Sequence, residues 1–320
     1  MRRGLLVALV LLAGTAGLAV WAVRDPLSAF ALLVPKDPAR VVARDVAYGP
    51  LPRQRLDAFA PEESEEGEGW PVVVFVHGGS WASGDKDGYG WAGRALAAQG
   101  MLAVVPNYRL GTEGVYPAMV EDTAAAVAWA HANAASLGGD PDRLVVAGHS
   151  AGAYNALMVA YVPAFLAAAG APEGIVRAAV DLSGPTDFLP LDTVASRNAF
   201  GHLPVGSLPA TQPVNHVSPD DPPTLIVHGT ADTTVEPRHA SALAAALERA
   251  GVAHDVRLYE GIDHRDVVLG ISRPYRSRVP TLRDVAAFVR EVPSRRHESP
   301  PANPGPTTGI SGSPESRSPN

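Results

Sequence analysis

Between residues 70 and 292 the chain alternates two apolar rhythms. VVVFVH over 72–77 is a continuous β-branched run, the pattern of a strand covered on both faces. Runs of the same kind at 101–108, 143–149, 178–183, 224–228 and 255–259 predict five further strands. The intervening stretches suit helices: 89–99 stopped by Gly100, the Ala-rich 117–137, 150–161, and 281–292. Residues 237–250 carry Pro237 at the start and Gly251 just past the end, the polarity expected of a helix. Repeated strand–helix alternation predicts an α/β domain with a mostly parallel central sheet and helices on both faces. Ligands of such sheets sit at the carboxyl ends of the strands.

The ends break this rhythm. Behind Arg2 and Arg3, residues 4–23 form an uncharged run rich in Leu, Val and Ala, with Trp21 near its end. Its length suits an uncleaved membrane anchor, and a cleaved secretory signal is the other reading. Both keep the arginines in the cytoplasm and put the rest outside it. Residues 24–40 then read as a linker, 41–292 as the catalytic domain, and 293–320 as a disordered Pro/Ser-rich tail. The acidic PEESEEGEG at 61–69 reads as a solvated hairpin loop.

Composition narrows the function classes. The net charge of −7 supplies no basic footprint for nucleic acid. With no cysteine, structural disulfides and thiolate metal sites are excluded, as is lipid attachment behind the apolar run. The ten histidines show no HExxH spacing, so no metal site is expected.

Candidate chemistry falls where strands end. Gly148-His149-Ser150-Ala151-Gly152 matches G-x-S-x-G between an apolar strand and a small-residue helix, the setting of a nucleophile elbow. A helix starting beneath Ser150 favours developing negative charge there. His77-Gly78-Gly79-Ser80-Trp81 follows the strand at 72–77. Acyl transfer needs main-chain N–H groups aimed at one oxygen, and Gly79, Ser80 and Ala151 are the candidate donors, with Gly78 shaping the loop. His77 is expected to fix that loop, and Trp81 to wall the substrate pocket. Asp232 in HGTAD follows the fifth of these strands, 224–228, and His264 in GIDH follows the sixth, 255–259, giving the chain order Ser, Asp, His. His264 would take the proton of Ser150 while Asp232 holds its tautomer. Asp187, in SGPTD, is the rival acid because it too follows a strand.

With HGGSW, GHSAG, HGTAD and GIDH together, the chain resembles the HGG-containing carboxylesterases of the α/β-hydrolase superfamily, close to hormone-sensitive-lipase-like and HGGxW bacterial esterases. The likeness runs over about 41–292, and GGDPDRLVVAGHSAG at 138–152 is its most specific stretch. It implies the same triad, no cofactor, and a small carboxylic ester as substrate. Ser80-Trp81 stands where many lipase-like members carry a third glycine and an aromatic. HGGxW also occurs in kynurenine-formamidase-like enzymes, which leaves formamide hydrolysis as the alternative, beside a lipase acting on longer acyl chains. Residues 184–223 carry Phe188 and Phe200 as their only aromatics and no long apolar helical stripe, so a rim over a modest pocket and short acyl groups are expected.

Overall fold

A computed structural model describes residues 26–63 and 69–294. The anchor or signal reading of 4–23, the core of the acidic loop at 64–68, and the tail from 295 onward lie outside the described residues.

Eight strands make one sheet: β1 (Arg40–Ala47), β2 (Arg55–Ala60), β3 (Trp70–Val76), β4 (Leu102–Pro106), β5 (Gly139–His149), β6 (Val176–Leu182), β7 (Thr224–Gly229) and β8 (His254–Tyr259). Their spatial order is β1-β2-β4-β3-β5-β6-β7-β8. The first two strands run antiparallel to their neighbours, and the other six are parallel. This is the mostly parallel α/β sheet expected from the alternation, in the α/β-hydrolase arrangement that the resemblance implies. The chain leaves β3 to one side to make β4, then crosses back to lay β5 on the other side. That reversal opens a crevice at the carboxyl ends of β3 and β5, where HGGSW and GHSAG stand.

Nine helices accompany the sheet among the described residues. They are α1 (Pro26–Leu33), α2 (Lys86–Ala97), α3 (Ala118–Asn133), α4 (Ala151–Tyr161), α5 (Pro163–Ala168), α6 (Val194–Phe200), α7 (Arg238–Ala250), α8 (His264–Leu269) and α9 (Thr281–Arg290). Helices α3 to α7 pack a core on one face, with Met119, Val127, Leu157 and Leu243 against Val72, Val74 and Val146. Helices α1, α2, α8 and α9 pack the other, with Trp91, Leu96, Val268 and Val285 against Val73, Phe75 and Val145. Side chains of β3 thus alternate between two cores, and all seven are buried. That explains a continuous apolar run where a one-sided sheet would show alternation.

Three differences from the pattern bear on the packing. Helix α2 begins at Lys86 instead of residue 89, because the Asp85 side chain accepts a hydrogen bond from Asp87 N at 2.9 Å and caps the first turn. The long helix expected to 137 stops at Asn133, and a separate turn, Ala135–Leu137, precedes left-handed Gly138. Residues 24–40, expected as a linker, contain α1. Ala31 and Val34 are buried, Phe30 meets Trp91 edge-on at 5.4 Å, and Arg276 grips Asp37 at 2.6 Å. Eight residues are too few for a stable free helix, so packing against Trp91 holds this one.

Candidate active site

Ser150 is the hinge between β5 and α4. Its backbone is left-handed (φ 56°, ψ −123°), an unusual conformation for a residue with a Cβ. The main chain is held there by Ser150 N bonding to Leu182 O at 2.9 Å, while Ser150 O accepts from Ala153 N and Tyr154 N in the first turn of α4. The turn is tight enough that a Cβ on Gly152 would lie 2.2 Å from Val76 O, so only glycine fits.

The two other expected residues converge on this serine. Asp232 follows β7 and His264 opens α8, so 32 residues separate them in sequence. The two loops are clamped together: Thr230 N bonds Tyr259 O at 2.9 Å, and Ala231 N bonds Ile262 O at 3.0 Å. Gly229 permits this approach, since a Cβ there would come within 2.1 Å of Ile262 O. Asp263 caps α8 by accepting from Asp266 N at 2.9 Å and so fixes the start of the helix. His264 Nδ1 then donates to Asp232 Oδ2 at 2.7 Å, and its Nε2 faces Ser150 Oγ at 2.9 Å. The proton on Nδ1 leaves Nε2 free to accept from the serine hydroxyl.

Asp232 is buried, yet it has partners on both oxygens. Oδ1 accepts from Thr234 N and Val235 N, each at 2.9 Å. Burial by itself would raise this carboxyl, but hydrogen bonds from His228 and His264 outweigh it and hold the group well below the usual carboxylate range. It therefore stays ionised beside a histidine that must become cationic. The rival acid, Asp187, sits elsewhere: its main-chain N–H faces His239, and its carbonyl accepts from Arg238.

The loop after β3 lies against the elbow. A Cβ on Gly78 would stand 3.2 Å from Ser150 Cβ, and Ser80 and Trp81 both have φ of 56°. Among the described residues, no protein acceptor takes the N–H groups of Gly79, Ser80 or Ala151, which leaves three donors beside the serine. His77 is wholly buried, donates from Nδ1 to Gly78 O at 2.8 Å and stacks on Tyr108 at 4.5 Å. Burial pushes its pKa down to about 4, so it is a neutral strut for the loop. Trp81 lines a cavity of about 300 Å³ together with Ser80, Ser150, Ala151 and Phe188.

Several residues of this site carried no sequence signal. Asn155 accepts from Trp81 Nε1 at 3.1 Å and ties the loop to α4. His149, the variable position of the elbow, donates from Nε2 to the His264 carbonyl at 3.0 Å, and burial lowers its pKa to about 3. His228 donates to Val235 O at 2.8 Å and touches Asp232 Oδ2 at 3.4 Å. Beyond it, burial raises Asp181 to about 7. A histidine at a strand end or inside a motif looks the same in sequence whether it is idle or braces the triad.

A family model, BD-FAE, matches residues 56–247, more than half of the chain and all of the elbow and acid regions. The chain belongs to the BD-FAE family. Among relatives of this BD-FAE protein, a probable isoprenylcysteine alpha-carbonyl methylesterase of Oryza sativa subsp. japonica is 31 % identical over 248 residues, covering 71 % of this chain and 58 % of that protein. Esterase LipC of Mycobacterium tuberculosis is 30 % identical, covering 78 % of this chain and 68 % of its own. The chain thus spans a little over half the length of the plant relatives it matches. Among solved structures, esterase B from Lactobacillus rhamnosis, inhibited by a C6-C4 SN3 compound, superposes with a TM-score of 0.72 at 20 % identity. That match covers 88 % of this chain and 96 % of the esterase. Butyrate-bound Est2 of Thermogutta terrifontis gives 0.63 at 25 % identity, over 79 % and 94 %.

Proposed function

We propose that this protein is a serine carboxylesterase that hydrolyses small carboxylic esters through an acyl-enzyme. The observation that carries the reading is the unbroken chain Asp232–His264–Ser150 at 2.7 and 2.9 Å. Ser150 Oγ attacks the ester carbonyl as His264 Nε2 takes its proton. The carbonyl oxygen, now negative, is received by the N–H groups of Gly79, Ser80 and Ala151, and the N-terminus of α4 adds its dipole. The imidazolium returns its proton to the leaving alcohol, and a water activated by the same nitrogen releases the acid. The test is labelling with a fluorophosphonate probe beside hydrolysis of p-nitrophenyl acetate. The wild type should react with both, and Ser150→Ala with neither. Equal labelling of the two proteins would overturn the assignment.

The pocket supports a short acyl group. Trp81, Tyr154, Phe188 and Phe200 form a continuous aromatic cluster with ring separations of 5.0–6.3 Å, and all four are buried. That cluster occupies the depth that a long chain would need. Each methylene a pocket buries adds about 0.8 kcal/mol, and the gain stops at the wall. kcat/KM over p-nitrophenyl esters should peak between acetyl and hexanoyl, and a maximum at C12 or beyond would point to a lipase. Faster turnover of N-formylkynurenine than of any ester would point to a formamidase. The run at 4–23 supports placement outside the cytoplasm, at the membrane or secreted. Among the described residues no helix is long and apolar enough to cross a membrane. Fractionation should find the full chain outside the cytoplasmic fraction.

A further inference from the structure

The cavity beside Ser150 has two unlike walls. Trp81 and Phe188 supply the apolar one. The other is polar, built by Asp192, Thr193 and Ser196 on one side and by Thr233–Glu236, Arg238 and His239 on the other. Acyl transfer as described above makes no use of the side chains of this second wall. His239 stands out within it, because it is 5 % exposed while Arg238 and Glu236 point largely into solvent.

The tautomer of His239 follows from its contacts. Its Nδ1 accepts two main-chain N–H groups, from Thr186 at 3.3 Å and from Asp187 at 3.2 Å. An acceptor of two N–H groups carries no proton, so a neutral ring has its hydrogen on Nε2. Burial lowers the group to about 4, which keeps the ring neutral above that pH. The chain on either side is also pinned, since Thr186 Oγ1 donates to His239 O at 2.7 Å. The Nδ1 edge is therefore taken up by protein, and the Nε2 edge bonds to no group among the described residues and is not sealed away from the cavity. A rigid, uncharged N–H donor is thereby presented to whatever fills the space beside Ser150.

Building on the esterase reading, we propose that His239 is a substrate-binding residue whose Nε2–H recognises an oxygen acceptor, an ether or hydroxyl oxygen, on the portion of the ester lying between 192–196 and 233–239. The ester it suits is thus oxygenated close to the scissile bond rather than purely alkyl. A neutral donor fits this task, since a cationic one would select carboxylates and would repel the imidazolium formed on His264. An apolar substrate leaves the donor unpaired when it expels water, which is the source of the discrimination.

Two pairs of esters that exchange one methylene for oxygen test this. On the acyl side they are p-nitrophenyl methoxyacetate and p-nitrophenyl butyrate, and on the alcohol side 2-methoxyethyl acetate and butyl acetate. The quantity read is the ratio of kcat/KM within each pair, for wild type, His239→Leu, His239→Gln and His239→Glu. His239→Leu should lower the ratio about five- to tenfold in one pair. His239→Gln keeps a donor and should stay within about twofold of wild type. His239→Glu still accepts the N–H groups of Thr186 and Asp187 but offers the cavity no donor, so it should fall at least as far as His239→Leu and remains informative if the leucine variant does not fold. Loss of a merely structural bond would slow both members of a pair alike. Unchanged ratios in both pairs for His239→Glu, with butyrate still hydrolysed, would overturn the binding role alone. No hydrolysis of any ester by the wild type would remove the esterase reading and this one with it.

Discussion

The two flanks of the site are held in different ways. On one flank Ser150, Asp232 and His264 lie within a few residues of the ends of β5, β7 and β8, and short main-chain bonds lock each turn. On the other, residues 184–223 contain only the seven-residue α6 and two short 3-10 turns, Val205–Thr211 and Pro213–Asn215. That segment is held by side chains: Phe188 and Phe200 sink against Trp81 and Tyr154, and buried Gln212 accepts from Phe188 N at 2.7 Å. The first flank fixes Ser150, Asp232 and His264 through backbone geometry, and the second fixes the pocket's shape through burial. Substitutions should therefore separate cleanly into losses of chemistry and losses of stability or selectivity.

The largest expected effect lies on the chemical flank. Asp232→Asn removes the charge that faces the imidazolium and lets the wrong tautomer form, so kcat on p-nitrophenyl acetate should fall by about 10³- to 10⁴-fold. The melting temperature should move little, because an amide fills the same space. If Asp232→Asn retained a tenth of the activity, the chemistry would not rest on this flank.

Next comes Phe200→Ala on the opposite flank. Phe200 is fully buried and its ring touches those of Trp81, Tyr154 and Phe188. Its truncation should cost about 3–5 kcal/mol in urea unfolding. The acyl optimum should shift to longer chains as the depth behind Trp81 opens, with kcat on acetyl reduced by less than about tenfold. A large loss of kcat with unchanged stability would erase the contrast between the flanks.

The smallest effect concerns acid. His77 and His149 on the chemical flank, with His239 in the cavity wall, are held neutral, at about 4, about 3 and about 4. Between about pH 6.5 and 4 the unfolded chain binds protons at these positions that the folded chain refuses, so stability falls as pH falls through that window. Asp181, raised to about 7, and Asp221, raised by burial, act in the opposite sense, because the folded chain keeps protons there that the unfolded chain releases. Three histidines outweigh two aspartates, and the free energy of urea unfolding should drop by of order 1 kcal/mol per pH unit below 6.5. His149→Leu should flatten this slope.

Legibility follows the same division. The elbow, the HGG loop and the acid loop are visible as short strings because each is a turn whose backbone demands glycine or a fixed neighbour, as at Gly152 and Gly229. The strands were visible because a sheet buried on both faces requires unbroken apolar runs. Helix α1 was not, since PLSAFALL has neither the length nor the pattern to declare itself, and only Trp91 and Tyr275 across the fold give it a surface. The aromatic cluster was invisible for the same reason: Trp81, Tyr154, Phe188 and Phe200 are spread over 120 residues and meet only when α4 and α6 pack together.

By itself, then, the amino-acid sequence determined the α/β alternation, the mostly parallel sheet and the identity of three residues at strand ends. Local rules set these: side-chain periodicity, turn stereochemistry and the order of the motifs along the chain. Tertiary structure alone decided that His228 and His149 brace Asp232 and His264, and that His239 turns a donor toward the cavity. Those outcomes depend on which edge of an imidazole meets a carbonyl, a carboxylate or an N–H contributed from a distant part of the chain. A ring's two nitrogens are equivalent in sequence, and only the packed environment makes one a donor and the other an acceptor.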